Sequence, residues 1–222
     1  MLASRSFRRG VRDGLVIVVP VFGFGLAYGV LAVEAGLSPA LTVLSSVLIV
    51  SGAAQFTMVG LLAAGPVPVL VAATGLGLRH LPMSAKLSDL IGPQPLWTRL
   101  RLAWVLVDET FGLTFRAAYS GVDDLVAYKS AADLLLYSNW VIATALGAWF
   151  GGAIDLEAVG IAVLFPLLFA GLAAPMVRTR RDVIVVGASV TATLVATSIV
   201  PPAWQITVAA AAAALVGMSI DE

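Results

Sequence analysis

Residues 14–33 read GLVIVVPVFGFGLAYGVLAV, twenty positions without a charge. A helix over this run is about 30 Å long, the thickness of a bilayer's hydrocarbon core. Arg5, Arg8, Arg9 and Arg12 precede it, and Glu34 to Pro39 follow as a short turn. Basic residues at the end of an apolar run resist translocation, so the N-terminus is expected in the cytoplasm. The run is too long for the apolar part of a signal peptide, and Gly36-Leu-Ser-Pro39 is a poor cleavage site. It reads as a retained first span, interrupted by Pro20, Gly23, Gly25 and Gly29.

The rest of the chain repeats this character. Of 222 residues, 60% are hydrophobic and 12% charged, against about 25% charged in a soluble domain. Lipid is therefore the solvent, and long runs of Leu, Val, Ala and Gly favour helices over the alternating strands of a barrel. Cysteine is absent, which excludes disulfides and thiolate metal sites, and a single histidine excludes multi-histidine metal cages. No basic tract suits nucleic acid, and no cofactor is expected.

Further spans are expected near Ala40–Ala63, Val67–Leu90, Leu102–Ser120, Leu134–Ile154, Val159–Val177, Val183–Val200 and Trp204–Met218. The third is ambiguous between a half-span ending near Leu78 and a full one. Gly92 to Arg101 reads as a loop, and Asp123, Asp124 and Asp133 as an acidic one. The expected fold is all-α, one polytopic transmembrane bundle over residues 1–222 with about seven or eight spans, some interrupted. Arg178, Arg180 and Arg181 fall on the cytoplasmic side with the N-terminus. Lys86, Arg99 and Arg101 conflict, because three full spans would place them outside.

Polar residues inside apolar runs carry the functional argument. A charge at a bilayer centre costs roughly 2.5–3.5 kcal/mol on insertion scales, so it marks a substrate or ion path by default. Ser51-Gly52-Ala53-Ala54-Gln55-Phe56 combines small residues with an amide. It offers either an unwound turn with free backbone groups or plain helix packing. In Leu78-Arg79-His80-Leu81-Pro82, Pro82 removes the donor that would bond the Leu78 carbonyl. Arg79 offers a planar fork for a carboxylate, and His80 a group that moves protons near neutral pH. The bland alternative is an interfacial pair snorkelling to headgroups. Asp108-Glu109 lies inside the fourth span, with Trp104 one turn earlier on the Asp108 face and Phe111 and Phe115 nearby. One acid can pair with Arg79 while the other titrates; a purely structural ion pair is the alternative. Asn139 lies early in the fifth span and suits a bond across helices. Trp97, Trp140 and Trp204 read as interface anchors, and Asp155 and Glu157 as solvated turn residues.

Gly25-Leu-Ala-Tyr-Gly29 followed by Ser51–Phe56 is echoed by Gly147-Ala-Trp-Phe-Gly151 followed by Ala170-Gly-Leu-Ala-Ala-Pro175. Transporters carry such repeats, here with halves 14–90 and 134–200; chance is the competing explanation.

Taken in order, Pro20 with Gly25 and Gly29, Ser51–Phe56, Leu78-Arg79-His80 with Met83-Ser84, Asp108-Glu109 with Phe111, and Asn139-Trp140 with Gly147 and Gly151 resemble the AzlC family. That family is the large subunit of bacterial branched-chain amino acid export permeases. It often has Asn where Gly77 stands here, which puts one polar contact in doubt. The resemblance implies efflux of Leu, Ile, Val and Met driven by protons across the bacterial inner membrane. It also implies a small AzlD-like membrane subunit as partner. On this reading Ser51, Gly52, Gln55, Phe56, Arg79 and Asn139 bind substrate, with apolar residues around Phe56 and Met58 taking its side chain. One of His80, Asp108 and Glu109 carries the coupling proton. The alternative class is a non-transporting membrane scaffold whose buried charges are structural. An intramembrane hydrolase ranks third, since neither a serine elbow nor metal-ligand spacing accompanies His80.

Overall fold

The computed structural model describes residues 5–151, 177 and 179–220. The expected sixth span, the 170–175 part of the echo, and Asp155, Glu157 and Arg178 lie outside the described residues. All regular elements among the described residues are helical, which lets lipid-facing segments satisfy their own backbone groups. Three of these helices are long and apolar enough to cross a membrane: Arg5–Glu34, Leu125–Phe150 and Arg180–Ile199. The chain forms two compact units, Met1–Phe56 with Arg79–Asp155, and Thr57–Leu78 with Leu156–Glu222.

The first unit is built on α1 (Arg5–Glu34) and α8 (Leu125–Phe150). Both start earlier than the apolar runs suggest, because the basic and acidic residues ahead of them are themselves helical. Asp133, expected in an acidic loop, is inside α8. Asn139 is therefore near the middle of α8, not early in a span.

The two helices pack along their whole length through small residues. A methyl on Gly14 would stand 3.0 Å from Leu135, one on Gly25 2.8 Å from Ala143, and one on Gly29 2.9 Å from the Cα of Gly147. Lipid gives no hydrophobic drive between helices, so such close backbone approach supplies the attraction. The echoed motifs Gly25–Gly29 and Gly147–Gly151 face one another in this seam. Contacts advance together from Gly10 against Tyr128 to Gly29 against Thr144, so α1 and α8 run parallel.

Between them along the chain come shorter helices. α2 (Pro39–Leu48) is capped by Ser38, whose hydroxyl accepts from Leu41 N at 3.3 Å. Residues 49–51 leave the helix, and α3 (Gly52–Leu61) follows, ending in a 3-10 turn, Leu62–Ala64. The second span is thus interrupted. α4 (Pro66–Gly77) and α5 (His80–Ile91) meet at a turn of Leu78 and Arg79, four residues ahead of Pro82 as its missing donor requires.

The fourth expected span is also divided, into α6 (Leu96–Trp104) and α7 (Asp108–Ala118). Two expectations change. Arg99 and Arg101 are helical, and Trp104 sits across the break from Asp108. Neither Pro nor Gly marks the break at Val105–Val107. Its signal is Asp108-Glu109, since two acids stabilise a helix start and burden a helix middle in lipid.

The side of α6 follows from contacts within this unit. Arg101 donates to Ser130 Oγ at 2.9 Å, near the start of α8. That start lies beside the N-terminal end of α1. Arg99 and Arg101 therefore share a side with Arg5–Arg12, which removes the conflict over their placement. We predict that Arg8→Cys and Arg99→Cys, in a chain with no native cysteine, react with a membrane-impermeant thiol reagent from the same face. Reaction from opposite faces would contradict this arrangement.

The second unit contains α4, α9 (Arg180–Ile199) and α10 (Pro202–Ser219). Thr179 and Asp182 form a capping box at the start of α9 (Asp182 N to Thr179 Oγ1, 3.2 Å; Thr179 N to Asp182 Oδ2, 2.8 Å). Arg181 donates to the Gly217 carbonyl at 3.1 and 2.5 Å. Its cation meets the negative end of α10, and α10 also packs on α4.

Candidate functional site

Three helix starts of the first unit meet at one guanidinium. Ser51 immediately precedes α3, Arg79 precedes α5, and Asp108 opens α7. Arg79 Nη1 lies 2.8 Å from Asp108 Oδ2, and Nη2 lies 3.5 Å from Ser51 Oγ. Each helix start turns the positive end of its dipole to the locus, which therefore favours an anion. Asp108 supplies one. The pair is partly open, with side-chain exposures of 34% and 39%. Arg79 Nε is buried and has no hydrogen-bond partner among the described residues. The fork therefore holds its acid through one nitrogen, although bidentate pairing is the stronger mode.

Glu109 and His80 flank this centre. Glu109, half-buried in the first turn of α7, stands within electrostatic reach of Asp108 and Arg79. His80 is half-buried as the first residue of α5. Among the described residues no group of acids and histidines could hold a metal ion.

A second polar cluster centres on Gln55, which is fully buried. Its Nε2 donates to Ser46 Oγ at 2.9 Å and to Ser45 Oγ at 3.3 Å, and its Oε1 accepts from Trp140 Nε1 at 2.9 Å. Ser46 Oγ pairs with Thr144 Oγ1 at 2.9 Å, and Tyr28 OH with Ser45 Oγ at 2.6 Å. Tyr137 OH donates to the Val47 carbonyl at 3.0 Å, beside the break in the second span. Low dielectric strengthens such a network when every member is satisfied.

Trp140 is thus no interface anchor. Its indole stacks on Tyr28 at 6.2 Å and fills the space beside Gly52, where a methyl would meet the ring at 2.9 Å. Phe56 meets the same Tyr28 edge-on at 5.6 Å. Asn139 Nδ2 donates to the Val18 carbonyl of α1 at 3.1 Å. The structure thereby brings Ser51, Arg79 and Asp108 together. It gives Gln55, Gly52 and Asn139 protein partners. Met58 belongs to the other unit.

Trp140→Phe would keep most of the ring and strand Gln55 Oε1 without its donor. A buried acceptor left unpaired costs about 1–3 kcal/mol. The expected result is a measurable fall in melting temperature in detergent, where an unaltered melt would show the bond to be dispensable.

Sequence reasoning missed Lys129 and Asp133. Lys129 is fully buried in α8 and Asp133 is 4% exposed, with Nζ 2.7 Å from both carboxylate oxygens. Their four-residue spacing was the available signal; reading Asp133 as loop concealed it. It also missed Asp13, whose Oδ2 accepts from Tyr128 OH at 2.9 Å. Away from these clusters, a cleft of about 240 Å³ lies between α5 and α6, lined by Ser84, Leu87, Ser88, Gln94 and Arg99.

Comparison with known proteins agrees with this architecture. Residues 16–154 match the family model described as AzlC protein. An uncharacterized membrane protein of Archaeoglobus fulgidus is 29% identical over 185 residues, covering 80% of this chain and 79% of that one. The inner membrane protein YgaZ of Escherichia coli is 28% identical over 155 residues, covering 68% of this chain and 63% of that one. An uncharacterized membrane protein of Haemophilus influenzae is 28% identical over 147 residues, covering 65% and 60%. No solved structure matches. With the family model spanning more than half of its length and its helices built for lipid, the chain belongs to the AzlC family of membrane proteins.

Proposed function

We propose that this protein is the larger subunit of a proton-coupled exporter of the branched-chain amino acids Leu, Ile and Val, and of Met. It works in the bacterial inner membrane with a small AzlD-like membrane subunit. The observation that carries the reading is the meeting of Ser51, Arg79 and Asp108 at three helix starts. A zwitterion crossing lipid needs partners for its charged ends, and interrupted helices supply them.

The substrate carboxylate competes with Asp108 for Arg79. When the substrate carboxylate takes Arg79, Asp108 loses its cation partner, and this exchange of partners couples substrate to the proton. Glu109 adjoins Asp108 and His80 adjoins Arg79 in sequence, and these two are the groups that hand the proton on in this scheme. Tyr28 and Trp140, through Ser45 and Gln55, hold the broken second span against α1 and α8, which fixes Ser51.

The reading is tested by binding. Purified wild-type complex should bind labelled leucine, and Arg79→Gln should lose that binding by at least about tenfold, the worth of roughly 1.4 kcal/mol. An equal melting temperature in detergent should report an intact core in both samples. Equal leucine affinity in the variant would remove Arg79 from the substrate site.

A further inference from the structure

Lys129 and Asp133 have no part in the substrate reading, yet they are the most deeply buried ion pair among the described residues. Both belong to α8, four residues apart. The ion pair itself lies within one helix and bridges to no second one. Taking two charges out of water is expensive, and well-packed apolar residues usually stabilise as well or better. A retained pair of this kind inside a membrane protein calls for a function.

The surroundings give it a direction. From α7, the Thr110 hydroxyl, which donates to the Val107 carbonyl at 3.3 Å, lies beside the Asp133 carboxylate. Thr110 itself is buried, and it directly follows Glu109. From α6, Arg101 faces the pair and is held by Ser130 at 2.9 Å. From α1, Asp13 and Arg9 face the neighbouring Tyr128, with Arg116 of α7 beside them. These groups stand on the side of the N-terminal arginines. The order along the unit is then the Arg79–Asp108 centre, Glu109, Thr110, the Lys129–Asp133 pair, and the basic end.

Resting on the exporter reading, we infer that Lys129 and Asp133 form a second proton station between the acids opening α7 and water on the N-terminal side. A proton leaves the Glu109 carboxyl as its O–H bond breaks. The Thr110 hydroxyl takes it and passes its own proton to Asp133, where a new O–H bond forms. That bond then breaks to water, which leaves as hydronium. Lys129 keeps its three N–H bonds and holds Asp133 as a carboxylate between passages. No electron changes hands; Thr110 and Asp133 return to their starting states, and the Glu109 carboxylate regains a proton from the Asp108 side before the next passage.

The pair can be removed without stranding a charge, by the double variant Lys129→Met with Asp133→Leu. Full-length protein and its small partner are placed in proteoliposomes and two readouts compared. Leucine counterflow without a gradient needs no net proton movement. Uphill leucine movement under an imposed pH gradient does. Counterflow in the double variant should stay close to wild type, and uphill movement should fall about 100-fold, the usual worth of a positioned proton-transfer group. Uphill movement equal to wild type would overturn the station. Loss of counterflow together with uphill movement would also overturn it, showing a structural role. The exporter reading fails separately: a wild type that ignores the gradient removes both it and the station, whereas a gradient-driven wild type with an unaffected variant removes the station alone.

Discussion

Gly147→Leu is expected to abolish the folded protein. A methyl at this position would already collide with the Leu26 carbonyl and stand 3.1 Å from the Cα of Gly29. Both neighbours are backbone, so no side chain can swing aside. Ordinary overpacking costs about 1–3 kcal/mol, and a rigid seam with three further side-chain carbons to place lies at or beyond the top of that range. Net stabilities of roughly 5–15 kcal/mol leave little margin. The seam between α1 and α8 also holds the second span through Tyr28, Thr144 and Trp140. Its opening therefore removes the site as well. Gly23→Leu is the matched control, since nothing lies within 4 Å of a methyl there. Size-exclusion profiles of membrane extracts should show a single sharp peak for Gly23→Leu and none for Gly147→Leu. Two equal peaks would mean that the helices do not touch as described.

The second large effect is functional. Asp108→Asn keeps the shape of the side chain and removes both its charge and its exchangeable proton. The ion pair is more than a third exposed on the acid side. Its contribution to stability is accordingly small, about 0–1 kcal/mol. Expression and melting temperature should stay near wild type. Uphill leucine movement should fall to background, because the variant cannot take a proton when substrate displaces it from Arg79. Leucine binding should persist, since the substrate carboxylate then meets an arginine with no competing anion. Dissociation of the two readouts separates a coupling acid from a structural one. Normal uphill movement in Asp108→Asn would remove that acid from the coupling reaction.

Much of this arrangement is legible in the residues. Twenty uncharged positions before Glu34 define α1, and Ser51-Gly52 announces the broken second span. Arg79 and Asp108 stand out because lipid penalises both. Pro82 marks the turn at Leu78 through the donor it lacks. Other features escape a linear reading because they depend on neighbours. Asp133 looks like loop until Lys129 one turn earlier is seen to share its face. Trp140 resembles every interfacial tryptophan until Gln55 and Gly52 are placed beside it. The division at Val105–Val107 has no Gly or Pro to announce it. The likeness of Gly25–Gly29 to Gly147–Gly151 suggests a repeat along the chain, and the two motifs are also partners in one seam. The parallel course of α1 and α8 is set by that seam and resolves where Arg99 and Arg101 lie.

On the proposed reading, protons drive substrate outward. The most direct measurement uses proteoliposomes containing the full chain and its small partner, loaded with labelled leucine and given an imposed pH gradient. Leucine should move against its own gradient, stop when a protonophore collapses the pH difference, and compete with isoleucine and valine. Leucine that stays in place, or that leaks equally with and without the protonophore from vesicles shown to contain folded protein, would rule out proton-driven export.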